Sequence, residues 1–498
     1  MIHLPYTSAV LISLMLIAVP SFAGPVVEPT AEGQIGEMPG VGDQVLGSRF
    51  ESIRGQVGDV IFGGIFVFGG VTPPPPEAQF LTDSIHGTPN PVQVTATSSL
   101  FANIDKLVPD SSWSRNAADD GDYVAFSFAV DGTMPQTLTV RIATFDENGD
   151  AMVEVPLIED VETFMFPDPT FAKTGAGVDD QGRVTVTYTD FNGGLPQVRA
   201  TRINAVSGTV IDPDFPITDI GHGNPDVALL DPAGNRLIVT TTDLVNPFTV
   251  RGNIVDFSGP TPAILPEFPI NDTGAAFGDF NAVVAADRAT GVFTAAWDHI
   301  TGVVGDPADV RARRFDAMGN PIGGDFLVNT TTANAQGQPA VAYGPASLSA
   351  IVWAGDATMP QGQDDLDVFL QVYDPMGNPI GGEVKVNTFD MNTQDRPAVR
   401  FLPDRDAQGR PQVAVVWRDA GNAAGFDPRG TGISYRCFSI NGFEEQVPIF
   451  EDGFESGDTS SWSSTICGTP SLFSPTSSAT KSPTWNSPMR PQWRACAR

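Results

Sequence analysis

The feature that most constrains this chain is an internal repeat of about 57 residues. Residues 315–329 read FDAMGNPIGGDFLVN, and residues 373–387, 58 positions on, read YDPMGNPIGGEVKVN. Each is followed by a second shared element, QPAVAY at 338–343 and RPAVRF at 396–401, and then a third, AIVWAGD at 350–356 and VAVVWRD at 413–419. Weaker copies run back towards the N-terminus. The element that opens a unit starts at positions 91, 168, 225, 280, 338 and 396. The D-x-x-G turns recur with it, at Asp146, Asp231, Asp316 and Asp374. A side-chain oxygen that caps backbone amides and a glycine at positive φ make these tight turns rather than calcium loops.

Each unit holds four short segments rich in β-branched and aromatic residues, parted by Gly, Pro, Asn and Asp. That is strand chemistry bounded by turn chemistry. Four strands per unit, repeated along one chain, predict an all-β fold, a β-propeller. Six units are complete, and a seventh blade is allowed. Labelled A to D outward from the axis, the strands leave two candidates for closing the ring, Phe80–Asp83 and Gln446–Phe450. The long connection 98–122 reads as an excursion between strands A and B of the first unit.

Composition agrees. With 51 Gly and 43 Pro in 498 residues, long helices are disfavoured. The 41% hydrophobic fraction supports a large core rather than disorder. A formal charge of -32 argues against nucleic acid or an anionic lipid surface as partner.

The flanks read differently. Residues 1–23 lack charged side chains, carry an apolar run from Ala9 to Val19 and end in Ser-Phe-Ala, the pattern of a signal peptide cleaved after Ala23. The expectation is an exported, monomeric protein without membrane insertion once the leader is removed. Residues 24–78 are a Gly/Pro-rich segment and linker containing VTPPPPE, 79–450 the propeller repeats, 451–467 a separate C-terminal segment and 468–498 a disordered basic tail. Among three cysteines, Cys437 and Cys467 are the expected pair in an oxidising compartment.

Catalytic signatures are sparse. His86, His222 and His299 have no metal-ligand spacing, and there is no Gly-x-Ser-x-Gly elbow or phosphate loop. Trp297, Trp353, Trp417 and Tyr188 recur at one position in successive units, which indicates packing between blades. The B-to-C connections vary most, and variable loops on a regular scaffold are where binding concentrates. The predicted ligand-binding residues are therefore Asp298, His299, Asp306, Asp309, Asp356, Asp364, Asp365, Asp367, Arg418 and Asp419. Calcium is the one cofactor such acidic loops suit; otherwise they form a solvated surface.

The FDxxGxPxGGxFxVN, QxxPAVA and VVW elements resemble the repeats of secreted bacterial propeller-like proteins, mostly of unassigned function, over about residues 80–450. EDGFESGDTSSWSS at 451–464 resembles a segment near the C-terminus of many exported proteobacterial proteins. A similar string opens some jelly-roll carbohydrate-binding modules, but too few residues follow here to build one, so a terminal tag or linker is implied. Neither resemblance supplies catalytic residues. The expected function is an extracellular binding or adhesion scaffold that presents the B-to-C face to a protein or glycan. The alternative is a glycoside hydrolase or polysaccharide lyase using loop carboxylates around the central channel.

Overall fold

The computed structural model describes the strands between Val27 and Glu162. From 173 to 443 it describes all but 191–194, 246–247, 273–276, 357–365, 389–392, 404 and 420–431. The leader at 1–23 and everything from 444 onward, including Gln446–Phe450 and Cys467, lie outside the described residues. Among the described residues, no helix is long and apolar enough to cross a membrane.

The chain begins with β1 (Val27–Ile35). Blade I follows as β2 (Gln44–Val45), β3 (Glu51–Gly55), β4 (Gly58–Val67), β5 (Ala78–Ser84) and β6 (Val94–Ala96). Blade II is β7 (Ser112–Arg115), β8 (Tyr123–Asp131), β9 (Thr137–Asp146) and β10 (Ala151–Glu162). Blade III is β11 (Gly175–Val178), β12 (Arg183–Asp190), β13 (Gln197–Asn204) and β14 (Val210–Pro216). Blade IV is β15 (His222–Leu229), β16 (Arg236–Asp243), β17 (Thr249–Asp256), β18 (Ala263–Ile264) and β19 (Phe268–Pro269). Blade V is β20 (Asp279–Ala286), β21 (Phe293–Val303), β22 (Asp306–Phe315) and β23 (Phe326–Leu327). Blade VI is β24 (Gln336–Tyr343), β25 (Ser349–Gly355), β26 (Asp367–Tyr373) and β27 (Pro379–Lys385). Blade VII is β28 (Gln394–Phe401), β29 (Gln412–Asp419) and β30 (Gly432–Ile440), with β1 as its outermost strand.

These seven sheets are antiparallel meanders. Their innermost strands touch in sequence: β3 meets β7, then β11, β15, β20, β24 and β28, and β28 returns to β3. The protein is a β-propeller, with seven blades among the described residues. The additional blade is blade I, whose β2, β3 and β4 lie in the segment 24–78 that was expected to precede the propeller. Phe80–Asp83, one of the two expected closing strands, does not close the ring. Phe80 lies inside β5, the third strand of blade I, and β1 pairs with β30 from Val27↔Ile440 to Ile35↔Ile433. Two innermost strands also shift. Ser112–Arg115, inside the presumed excursion, opens blade II, whereas the segment from Pro91 contributes only the edge strand β6. Blade III opens at Gly175 rather than at Asp168. The turn Asp179–Gly182 after that strand sets its register, with Asp179 Oδ1 accepting from the Gln181 and Arg183 N–H groups at 2.9 Å each.

The core lies between blades. Apolar residues of one blade pack on the first two strands of the next, as Ile238, Ile254 and Ile270 of blade IV meet Val284, Ala295 and Trp297 of blade V. The same layer recurs between blades III and IV, V and VI, and VI and VII. Val27 of β1 is buried in the last of these. Cys437 is buried within β30, and its expected partner Cys467 lies outside the described residues.

The D-x-x-G turns at Asp231, Asp316 and Asp374 hold as turns, although Asp231 closes an A-to-B connection while Asp316 and Asp374 close C-to-D connections; the one that starts at Asp146 runs outside the described residues. Asp316 Oδ1 accepts from the Met318 and Asn320 N–H groups at 2.8 and 2.9 Å, and Asp374 repeats the arrangement with Met376 and Asn378. All lie on one face of the ring. The D-to-A and B-to-C connections share the opposite face, where the candidate site lies.

Candidate functional site at the channel mouth

The site is set by where the innermost strands begin and the second strands end. The first residue of the innermost strand is polar and buried in four successive blades: His222, Asp279, Gln336 and Gln394. Each engages the next strand of its own blade. Asp279 Oδ1, Gln336 Oε1 and Gln394 Oε1 accept the indole N–H of Trp297, Trp353 and Trp417 at 3.1, 3.2 and 2.9 Å. In blade IV, His222 Nδ1 and Thr241 Oγ1 share the equivalent bond at 3.3 Å. The three tryptophans are fully buried, as packing required. A buried indole N–H needs such an acceptor, so this position belongs to the repeat.

Two residues further along, the innermost strand bulges. Asn224, Asn281, Gln338 and Arg396 have φ of 53°, 50°, 55° and 50°, and the strand register slips at each. A left-handed residue in a bulge turns the strand and re-aims its neighbours. Here it exposes amides that the adjacent blade can use. Gln338 N–H donates to Asp298 Oδ1 at 2.8 Å, and Arg396 N–H donates to Gln338 Oε1 at 2.8 Å. Asn281 Nδ2 donates to the other oxygen of Asp298 at 2.8 Å. A relay of polar contacts thus runs from blade V through VI to VII.

Asp298 is the electrostatic centre of this relay. Burial pushes its carboxyl up to about 6, against the opposing effect of the Asn281 and Gln338 hydrogen bonds and of the Lys173 ammonium. Lys173 immediately precedes blade III and is itself buried. Beside Asp298, His299 Nδ1 lies 2.7 Å from Asp279 Oδ1, and Asn271 Nδ2 donates to Asp279 Oδ2 at 2.7 Å. Burial and the nearby Asp309 carboxylate raise the Asp306 carboxyl, with His299 opposing. In blade VII, Arg418 grips Asp395 with two bonds of 2.6 and 2.5 Å.

The predicted residues therefore divide. Asp298, His299 and Asp306 gather at one rim, with Arg418 on the rim of blade VII. Asp309 lies within the third strand of blade V and Asp367 begins that of blade VI, and both are buried rather than solvated. Each accepts from the asparagine that ends its blade, Asn329 at 2.7 Å and Asn387 at 2.8 Å, and Asp367 also pairs with Lys385 at 2.9 Å. Asp419 accepts from Gln394 Nε2 at 3.0 Å. Asp356 follows β25 and is buried. Asp364 and Asp365 lie outside the described residues. The predicted loop 298–309 is instead a hairpin, since β21 and β22 run on to Val303 and from Asp306. Among the described residues, no three His, Cys, Asp or Glu side chains converge as a metal site would require. Sequence reasoning missed Asp279, Asn281, Gln338, Asp395 and Lys173. The polar residue two positions before each bulge was the available signal.

One strand position breaks the repeat. Thr189, Thr242, Asp298, Ala354 and Arg418 occupy it in blades III to VII. Their cross-strand partners are Val198, Val250, Val310, Val368 and Ile433. The partner is always β-branched, while the rim residue changes chemistry from blade to blade.

No family model matches the sequence, and no curated protein is similar to it. Among solved structures, the chain is similar to the BP39L lectin from Burkholderia pseudomallei, at 15% identity over 79% of this chain and 96% of that one, with a TM-score of 0.46. It is also similar to the GH93 α-L-arabinofuranosidase of Fusarium graminearum, at 10% identity over 82% and 97%, with a TM-score of 0.42. A protein of unknown function from Dyadobacter fermentans matches at 12% identity over 66% and 94%, with a TM-score of 0.41.

Proposed function

We propose that the protein is an exported extracellular binding scaffold that holds a glycan at the channel mouth, on the face formed by the D-to-A and B-to-C connections. The observation that carries this reading is the lapse of the repeat at the rim. A position needed only for packing keeps its chemistry in each blade, as the Trp297, Trp353 and Trp417 position does. The adjacent position holds threonine, aspartate, alanine and arginine in turn. Asp298 and Arg418 set an acceptor and a donor at different points of one ring, which suits a polyhydroxylated ligand. The leader pattern at 1–23 supports export.

The full chain on a glycan array tests this. Asp298→Asn and Arg418→Gln are expected to weaken any retained glycan about tenfold, roughly 1.4 kcal/mol each. A protein that retains no glycan, or variants that bind as well as the parent, would end the reading.

The enzyme reading has one specific support. A buried carboxyl with a pKa near 6 is suited to general acid catalysis. Incubating the full chain with a retained polysaccharide and measuring new reducing ends checks it. Activity that falls above pH 6 and is lost in Asp298→Asn would favour hydrolysis over binding alone.

A further inference from the structure

The same face carries a second surface, which meets the channel mouth only at Asp306. Leu195, Ile220, Val245, Phe248, Phe277 and Val304 are exposed by 46, 63, 61, 39, 65 and 91%. They belong to consecutive connections of blades III, IV and V. Backbone and side-chain contacts make them continuous. Gly221 and His222 N–H donate to Pro196 O at 2.5 and 3.2 Å, which sets Ile220 beside Leu195. Leu244 N–H donates to Gly221 O at 2.7 Å, and Val245 covers Gly221 so closely that a Cβ there would lie 2.6 Å from its Cγ2. Phe248 packs against Phe280, its ring tilted by 37° with centroids 4.6 Å apart, and its carbonyl accepts from Asp279 N–H at 2.9 Å. Phe277 then lies over Gly302, next to Val303 and Val304. The exposed Val206, Met318 and Met376 of the opposite face sit singly, each in the C-to-D turn of a different blade, as surface apolar residues ordinarily do. A contiguous ridge marks an interaction surface instead.

The charge around the ridge identifies the partner. Asp219 is exposed beside Ile220 at one end. At the other end Asp306 follows Val304, and its Oδ1 is buried without a hydrogen-bond partner. The neighbouring cations are committed: Arg199 to Asp214 at 2.6 Å, Arg251 to Glu267 at 3.8 Å, Arg313 to Asp272 at 3.2 Å, and Arg311 to Asp325. The chain as a whole carries -32. We infer that this ridge docks a protein segment whose apolar side chains are flanked by lysine or arginine. The apolar centre supplies affinity, and the acidic ends set orientation and on-rate. An anionic membrane is repelled by the same charge.

Three labelled 14-residue peptides test the inference by fluorescence anisotropy on the full chain. The first has a Leu/Phe centre with lysine ends, the second the same centre with glutamate ends, and the third a Gly/Ser centre with lysine ends. The first is expected to bind at least tenfold more tightly than either control, and the Phe277→Ser/Val304→Ser double variant to lose that tenfold. Asp219→Asn/Asp306→Asn is expected to lose about threefold for the first peptide and to flatten its salt dependence. Equal binding of the first and third peptides would reduce the effect to bulk charge and overturn the inference. So would a double variant that binds normally while its unfolding temperature is unchanged. Self-association of the parent, seen by sedimentation velocity and abolished in the double variant, would assign the ridge to a second copy instead. Binding of the ridge to neutral glycans or zwitterionic vesicles, lost in the same variant, would likewise overturn it. The outcome is independent of the channel mouth, because the variants that test the glycan reading, Asp298→Asn and Arg418→Gln, leave the ridge intact.

Discussion

Glu32 and Thr388 stand 356 residues apart and are hydrogen-bonded. Glu32 Oε2 accepts from Thr388 N–H at 2.8 Å and from its hydroxyl at 2.5 Å. The same link joins the preceding blades. Glu383 Oε2 accepts from Thr330 N–H at 2.7 Å and from its hydroxyl at 2.9 Å, and Asp325 Oδ2 accepts from Asp272 N–H at 3.2 Å. In blades V, VI and VII an acidic residue in the outermost strand, or just before it, thus holds the end of the blade before it. β1 performs the repeat's own function although it comes from the other end of the chain.

Ring closure through β1 makes the N-terminal strand disproportionately important. Val27→Asp, which puts a charge into the layer between blades VI and VII, is expected to cost about 3 kcal/mol. Glu32→Ala breaks a solvent-facing link and is expected to cost only about 0.5–1 kcal/mol. Chemical denaturation of both variants checks the ranking; equal losses would contradict the packing of Val27.

Trp353 is fully buried, stacks on Phe369 with centroids 5.9 Å apart and donates to Gln336. Trp353→Phe removes the donor and part of the volume, and about 2 kcal/mol is expected. Trp353→Ala leaves a larger cavity and about 4 kcal/mol is expected. The two unfolding free energies, measured at constant denaturant slope, test the layer between blades V and VI.

Asp298 gives a pH signature with a definite sign. Its folded pKa, about 6, lies above its ordinary value of 3.8. The folded state therefore binds the proton more tightly than the unfolded state. The ionisation penalty is absent below about pH 4, grows between pH 4 and 6, and is complete above that, on the order of 3 kcal/mol. Asp298→Asn is expected to gain stability relative to the parent as pH rises across this window. Parallel difference profiles would show that Asp298 does not titrate there.

Gln338 couples strain to contact. Its φ of 55° is left-handed, and its side chain accepts from Arg396 N–H. Both Gln338→Gly and Gln338→Ala lose that bond, but only glycine relieves the backbone. The alanine variant is expected to be less stable by about 1 kcal/mol. Equal stabilities in thermal unfolding would indicate that the bulge relaxes.

Much of the architecture was legible in the residues. The 58-residue spacing, the Trp position and the Asp-x-x-Gly turns all report local periodicity, which packing between identical blades preserves. The blade count and closure were less legible. Blade I and β1 carry little of the repeat's wording, since pairing in them depends on neighbours supplied from far along the chain. The rim was half legible. Asp298 and His299 were visible as residues of a variable connection. Asn281 and Gln338 were hidden because bulges, not strand alternation, aim their side chains, and Asp279 because its partners Trp297 and His299 lie on the next strand. Asp309 and Asp367 read as loop carboxylates until Asn329 and Asn387 were seen to occupy them.

The sequence by itself determined the strand-and-turn content, the four-strand unit and the face on which variation gathers. These follow from side-chain chemistry within a few residues of each position. Only the tertiary structure decided that β1 completes blade VII, that Asp298 joins blades V and VI, and that six apolar side chains from consecutive connections form one ridge. Each depends on which distant segments become neighbours when the ring closes, and burial and hydrogen bonding then act across contacts that sequence distance does not record.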